Sequence, residues 1–139
     1  PICFCTLLCG NTSSYSNMSG SWGTGIFECF MDPMQCLDTY LCGCCAMSRQ
    51  WKALEGMTNQ LDIVMCFVAY LFGQCVNIMI RMKTVEKYGI AEGLPMTVIW
   101  ACCFGQCSLC QTHRELTLRN AWPGGTILHK EPGDYTKMK

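Results

Sequence analysis

Charge and histidine are both scarce in this chain. Only 14% of its 139 residues are charged, and ten basic residues balance ten acidic ones. A neutral chain has no basic footprint for nucleic acid, so that partner class is set aside. There are two histidines, His113 and His129. The sequence also lacks a paired-carboxylate arrangement, a phosphate-cradling glycine loop and a nucleotide fingerprint. Without a base placed beside a nucleophile, no enzymatic chemistry and no small-molecule substrate are expected. A heptad pattern is missing, and no internal repeat is long enough to organise the chain. Residues 1–9 have no basic start and too few apolar residues for a signal peptide,. Pro1 is also what remains when an initiator methionine is trimmed. The expected setting is therefore intracellular and reducing rather than secreted.

Cysteine and apolar residues dominate instead. Fourteen cysteines make up about a tenth of the chain, and half of all residues are hydrophobic. Cysteines at this density suit a disulfide scaffold, thiolate ligation of a metal such as zinc, or packing as small hydrophobes. A chain of this length suits one domain. The expected organisation is an N-terminal segment over 1–21, a cysteine-rich two-helix domain over 22–120, and a polar tail over 121–139.

The fold class expected is mainly α. Residues 10–25 are rich in Ser, Gly and Asn and read as loop,. Cys29 to Cys45 is punctuated by Pro33 and Gly43, which predicts an irregular segment of turns packed on the helices. A short helix follows over 46–55. Thr58 or Asn59 can N-cap a long helix from about 61 to 87, which ends at Tyr88-Gly89. A second long helix is expected over about 96–119, antiparallel to the first.

Both long helices are apolar nearly all round. From Leu61 to Ile80 the strongly polar residues are Asp62, Gln74 and Asn77, and Leu94 to Cys110 contains no charge. Such helices need cover on several sides, which a chain this small cannot supply alone. The cover is lipid or protein: a membrane, other subunits of a larger assembly, or self-association. The first stretch approaches a membrane span in length, and Arg81, Lys83 and Lys87 would put the connector on the cytoplasmic side. Gln74, Asn77 and Gln106 are then candidates for interhelical hydrogen bonds or for a pore lining.

The order of motifs resembles the placenta-specific-gene-eight family, which includes onzin, cornifelin and the plant cell-number regulators. Trp22-Gly23-Thr24-Gly25-Ile26-Phe27-Glu28-Cys29 is similar to its opening segment, with Asp32, Cys36, Thr39, Cys42 and Cys44 following at its spacing. Gly43 stands where the family usually has proline. Arg81 to Ile90 resembles its helix exit, and Cys102-Cys103 through Cys107, Cys110, Gln111, Arg114, Glu115 and Leu116 its C-terminal signature. The resemblance implies a small scaffold, often at membranes, linked to cell-size control, metal resistance, cation flux or the cornified envelope. It implies no single chemistry.

At 100° per residue, Cys103, Cys107 and Cys110 fall within roughly a 60° arc, and Arg114 continues it. Cys107 and Cys110 can share one tetrahedral zinc with Cys42 and Cys44 from a tight turn. Cys29, Cys36, Cys45, Cys103 and His113 are the alternates. Simple packing and disulfide formation stay open. His113 reads more simply as an exposed helix residue, Glu115 and Arg119 as a surface pair, and Cys66 and Cys75 as packing residues. Cys3, Cys5 and Cys9 are candidates for lipidation. The expected function is a non-enzymatic structural or adaptor module, seated in a cytoskeletal or organellar assembly or at a membrane. The alternative is an oligomeric membrane protein that handles divalent cations.

Overall fold

The structure, a computed structural model, describes residues 20–127. It is mainly α: a 3-10 turn Ile26–Met31, then α1 Pro33–Leu41, α2 Gly43–Leu54, α3 Ile63–Tyr88, α4 Leu94–Cys103 and α5 Gly105–Leu118. No strand forms among the described residues. A single parallel bridge joins Gly20 to Ile90 and ties the incoming chain to the α3–α4 connector.

The cysteine-dense segment is helical rather than a run of turns. Pro33 sits in the first turn of α1, where its missing N–H costs nothing, and the Asp32 side chain caps it by accepting from Gln35 N,. The Pro and Gly read as loop punctuation are helix starts. The N-cap of α3 is Asp62, not Thr58 or Asn59: its carboxylate accepts from Val64 N and Met65 N. Ser48 of α2 fixes that cap, donating to the Asp62 carbonyl and accepting from its N–H. The exit is as read, with Gly89 in the left-handed region at φ 61°,.

Neither long helix is straight. Phe72 in α3 leaves helical geometry at φ −128°, ψ 39°. Phe104, between α4 and α5, does the same at φ −126°, ψ 45°. Each opens the same tetrapeptide, Phe-Gly-Gln-Cys, at 72–75 and 104–107. Glycine weakens a helix locally, but apolar periodicity continues across both breaks, so hydropathy hides them.

The contacts show that the chain doubles back at each break. Cys45 lies beside Cys66 and Ser48 beside Asp62, so α2 runs antiparallel to the first part of α3. Met47 meets Gly73, Lys83 lies over Trp51, and Lys87 reaches the Leu54 carbonyl, so α2 runs parallel to the second part. Asn77 donates to the carbonyls of both Ala101 and Gly105, which places it where α4 turns into α5. The two breaks meet: a Cβ on Gly105 would lie 3.5 Å from Gln74 Oε1.

Much of the interior is polar. One apolar cluster joins Met47, Ala69, Val76, Ile80 and Leu109, with Trp51, Leu54, Met65 and Val68 around it, and Ile78, Val85, Ile90 and Leu116 are buried beyond it. Arg81, expected with Lys83 and Lys87 to put the connector on the cytoplasmic side, is 1% exposed. It forms a two-pronged ion pair with Glu92 at 2.7 and 2.6 Å, donates to Ser108 and Gln111, and stacks on Trp22. His113 is buried rather than exposed, facing the Gly124 carbonyl at 3.4 Å. Glu115 pairs with Arg119 but is itself buried, because it also accepts from Gly23 N. The first tail residues fold back, with the N–H groups of Thr126 and Ile127 donating to Asp38.

Burial alone would raise the Glu92 carboxyl, but the Arg81 hydrogen bonds and charge outweigh it and hold its pKa below the ordinary value,. The pair's contribution is therefore full above the unfolded carboxylate range and is lost as pH falls through the depressed value. Glu92→Gln strands a buried guanidinium and should cost about 3–5 kcal/mol in urea denaturation at neutral pH. A loss under 1 kcal/mol, about that of a surface pair, would contradict this assignment.

Candidate metal-thiolate centre

The first thiol group lies at the start of α2. Cys42 is its N-cap, and Cys44 and Cys45 fall in its first turn. The sulfurs of Cys42, Cys44 and Cys45 all lie within 4.8 Å of one another, so this cluster can hold a metal ion. Cys42 and Cys44 are 3.8 Å apart, and Cys45 is 3.8 Å from Cys66 of α3. An edge of about 3.8 Å is what four sulfurs at about 2.3 Å from a tetrahedral zinc require. Cys42 and Cys45 are joined as a disulfide. That bond and thiolate ligation exclude each other, so these two residues ligate only when reduced.

A second group lies where the 3-10 turn, α1 and α5 meet. Cys29 Sγ is 3.2 Å from Cys107 Sγ. Cys110, one turn along α5 from Cys107, is fully buried. Gln106 donates to the Cys36 carbonyl at 2.9 Å and docks α1 on the start of α5. Burial, followed by the neighbouring Cys107 sulfur, pushes the Cys29 thiol up to about 11. Burial and then Cys36 push Cys110 up as well. Both are therefore neutral thiols near pH 7 unless a metal displaces their protons.

The structure thus divides the expected ligand set. Cys42 and Cys44 group with Cys45, which lies beside Cys66, whereas Cys107 lies beside Cys29; among the described residues only Cys42, Cys44 and Cys45 come together closely enough to hold a metal ion. The four do not meet in one site, because the doubling back at Phe104 turns α5 toward α1. Cys103 is exposed and free. His113 faces Gly124 and is in neither group. Cys66, read as packing, lies beside Cys45; a partner 21 residues away leaves no local sequence signal. Cys3, Cys5 and Cys9 lie outside the described residues. Gln74, Asn77 and Gln106 line one cavity of about 370 Å³, with Gly73, Gly105, Met47 and Leu109.

The motifs at the two ends of the chain meet through the buried polar network. Trp22 donates to Glu92, Gly23 N to Glu115, and Gln111 to the Thr24 carbonyl. Arg114 donates to Thr24 Oγ1 and the Gly25 carbonyl. The PLAC8 family profile matches residues 22–115, which span this network and both thiol groups. The chain belongs to the PLAC8 family. It is similar to cell number regulator 1 of Zea mays, 29% identical over 103 residues, covering 70% of this chain and 54% of that protein. It is also similar to cell number regulator 4 of Zea mays, 29% identical over 123 residues, covering 80% of this chain and 76% of that protein. The chain thus spans about half the length of the first of these relatives. No solved structure matches.

Gly43 is the first residue of α2, and a Cβ there meets nothing within 4 Å. Cys42 before it has φ −140°, ψ 68°, close to Asp32 (φ −124°, ψ 80°), which already precedes a proline at a helix start. Gly43→Pro should therefore raise stability by about 0.4–1 kcal/mol in chemical denaturation. A loss of stability would show that the α2 start is not built as described.

Proposed function

We propose that this PLAC8 protein is a non-enzymatic structural module that seats at a membrane, or against partner subunits there, and is braced by thiolate-bound metal. One observation carries the reading: the exposed apolar residues of the first part of α3 and of α4 have no charged residue among them. Phe30, Tyr40, Ile63, Val64, Phe67 and Tyr70 are 63–79% exposed. Leu71, Phe72, Met96, Ile99 and Phe104 are exposed as well. No charged residue occurs in 63–80 or in α4, and the one in α1, Asp38, is buried. Exposed Glu55, Lys83, Glu86, Lys87 and Arg119 lie instead on α2, α5 and the far part of α3 and their ends. Patches of this kind mark contact with lipid or protein.

α3 is long and apolar enough to cross a membrane by length and composition. The break at Phe72 and the buried Arg81 favour shallow seating instead. The exposed part, residues 63–72, spans only about 15 Å, near half of a hydrocarbon core. Phe27, Trp100 and Phe104 form a ring cluster at the α4–α5 break, with centroids 5.5–6.1 Å apart, a chemistry suited to the headgroup boundary,. A cation-handling oligomer is a second reading. It draws on the Cys42–Cys44–Cys45 group and on the cavity shared by Gln74, Asn77 and Gln106.

Flotation of the purified full chain with phosphatidylcholine/phosphatidylserine vesicles tests the seat. The protein is expected to float. Ile63→Glu combined with Phe67→Glu should cut the floating fraction at least about ten-fold while helical circular dichroism is retained, since each charge costs on the order of 2–3 kcal/mol in lipid. Recovery of the wild type entirely as a soluble monomer would overturn the reading. Divalent-cation flux across vesicles holding the protein would favour the second.

A further inference from the structure

We infer that Cys66 is a resolving thiol for the Cys42–Cys45 disulfide, so that the cross-link passes by thiol–disulfide exchange from the start of α2 to a bridge between α2 and α3. The inference rests on neither bound metal nor the membrane seat. Four sulfurs lie at this end of the fold. Cys42 and Cys45 are joined, Cys44 Sγ lies 3.8 Å from Cys42 Sγ, and Cys66 Sγ lies 3.8 Å from Cys45 Sγ. Cys44 and Cys66 are free thiols. A free thiol in contact with one sulfur of a disulfide is placed to attack it. Neighbouring contacts hold it there. Ser48, one turn beyond Cys45, is bonded in both directions to the backbone of Asp62, one turn before Cys66. α2 and α3 therefore keep their register whichever sulfur Cys45 is bonded to.

Helix position gives the exchange its direction. Cys42 is the N-cap of α2, and no side chain caps the N–H groups of the first turn. Those donors and the helix dipole favour a thiolate there, which makes Cys42 a good leaving group. In the step, Cys66 gives up its proton and its sulfur attacks Cys45 Sγ. The Cys45–Cys66 bond forms as the Cys42–Cys45 bond breaks, and Cys42 leaves as a thiolate that takes up a proton. One disulfide is present before and after, so no oxidant is consumed. Burial raises the Cys66 thiol and slows the attack, whereas its contact with Cys45 makes the step intramolecular,. Attack by Cys44 on Cys42 would instead link residues two apart and leave Cys66 free.

The two bonds differ in what they hold. Cys42–Cys45 spans three positions and constrains little. Cys45–Cys66 closes the α2–α3 connector across 21 positions, and a loop of that size restrains the unfolded chain far more,. It fastens α2 to the start of α3, beside exposed Ile63, Val64 and Phe67. Reduction opens either bond and frees the sulfurs of Cys42, Cys44 and Cys45.

The test equilibrates the oxidised full-length protein in a series of glutathione buffers, quenches it in acid and maps its disulfides by peptide mass spectrometry. The expected result is a Cys45–Cys66 linkage beside the Cys42–Cys45 one. Cys42→Ser combined with Cys44→Ser leaves Cys45 and Cys66 as the local pair. This variant should form that bond and gain at least about 5 °C in Tm on oxidation, a gain that adding Cys66→Ser removes. If circular dichroism shows the double variant unfolded, the wild-type map decides alone. Cys66 that stays fully alkylatable across the wild-type series would overturn the proposal. A Cys42–Cys44 bond as the sole product of exchange would overturn it too.

Discussion

A small protein cannot leave a buried guanidinium unmatched, and this one buries two. Arg81 is met by Glu92, Ser108, Gln111 and the face of Trp22. That pair fixes the α3–α4 connector against α5 and holds the incoming Trp22 on top of it. Arg114 is met by the Thr24 hydroxyl and the Gly25 carbonyl. Between them, the two arginines tie the opening motif, the exit of α3 and the C-terminal helix into one body. The usual objection to buried ion pairs is that well-packed apolar residues would serve as well. Here many large apolar residues are turned outward, and polar contacts join Trp22–Gly25 to Glu92 and to α5.

That inversion explains how a scaffold of this size can carry so much exposed Phe, Tyr, Ile and Leu. Doubling back at Phe72 and Phe104 presents one face of the first part of α3 and of α4 to the surroundings, while Ala69, Thr97 and Ala101 stay buried. The second part of α3 and α5 turn toward the polar interior. The two Phe-Gly-Gln-Cys breaks touch, and Gly105 leaves room for the Asn77 and Gln74 amides that fill the junction.

The parts of the fold legible from sequence were those with a local cause. The Tyr88-Gly89 stop follows from glycine's access to positive φ, and the apolar, uncharged character of 61–80 and 94–110 is composition. The helix breaks were not legible from hydropathy, because one glycine costs too little to outweigh a continuing apolar pattern, and tertiary contacts decide the matter. The repeated tetrapeptide 32 residues apart was the signal available. The burial of Arg81, His113 and Glu115 was hidden for another reason. Charged and polar residues at helical spacing look solvated until their distant partners, Glu92, Gly124 and Gly23, are known. The cysteine groups follow the same rule: residue types and the Cys107–Cys110 face were readable, but Cys29 meets Cys107 across 78 positions.

The central proposal is that the Cys42–Cys44–Cys45 group at the start of α2 is held as metal thiolate and braces the fold there. X-ray absorption at the zinc edge of the native, reduced full-length protein tests it most directly. The account predicts bound zinc with sulfur in its first shell at about 2.3 Å. A first shell of nitrogen or oxygen alone, or native protein that folds fully with no metal bound, would contradict it.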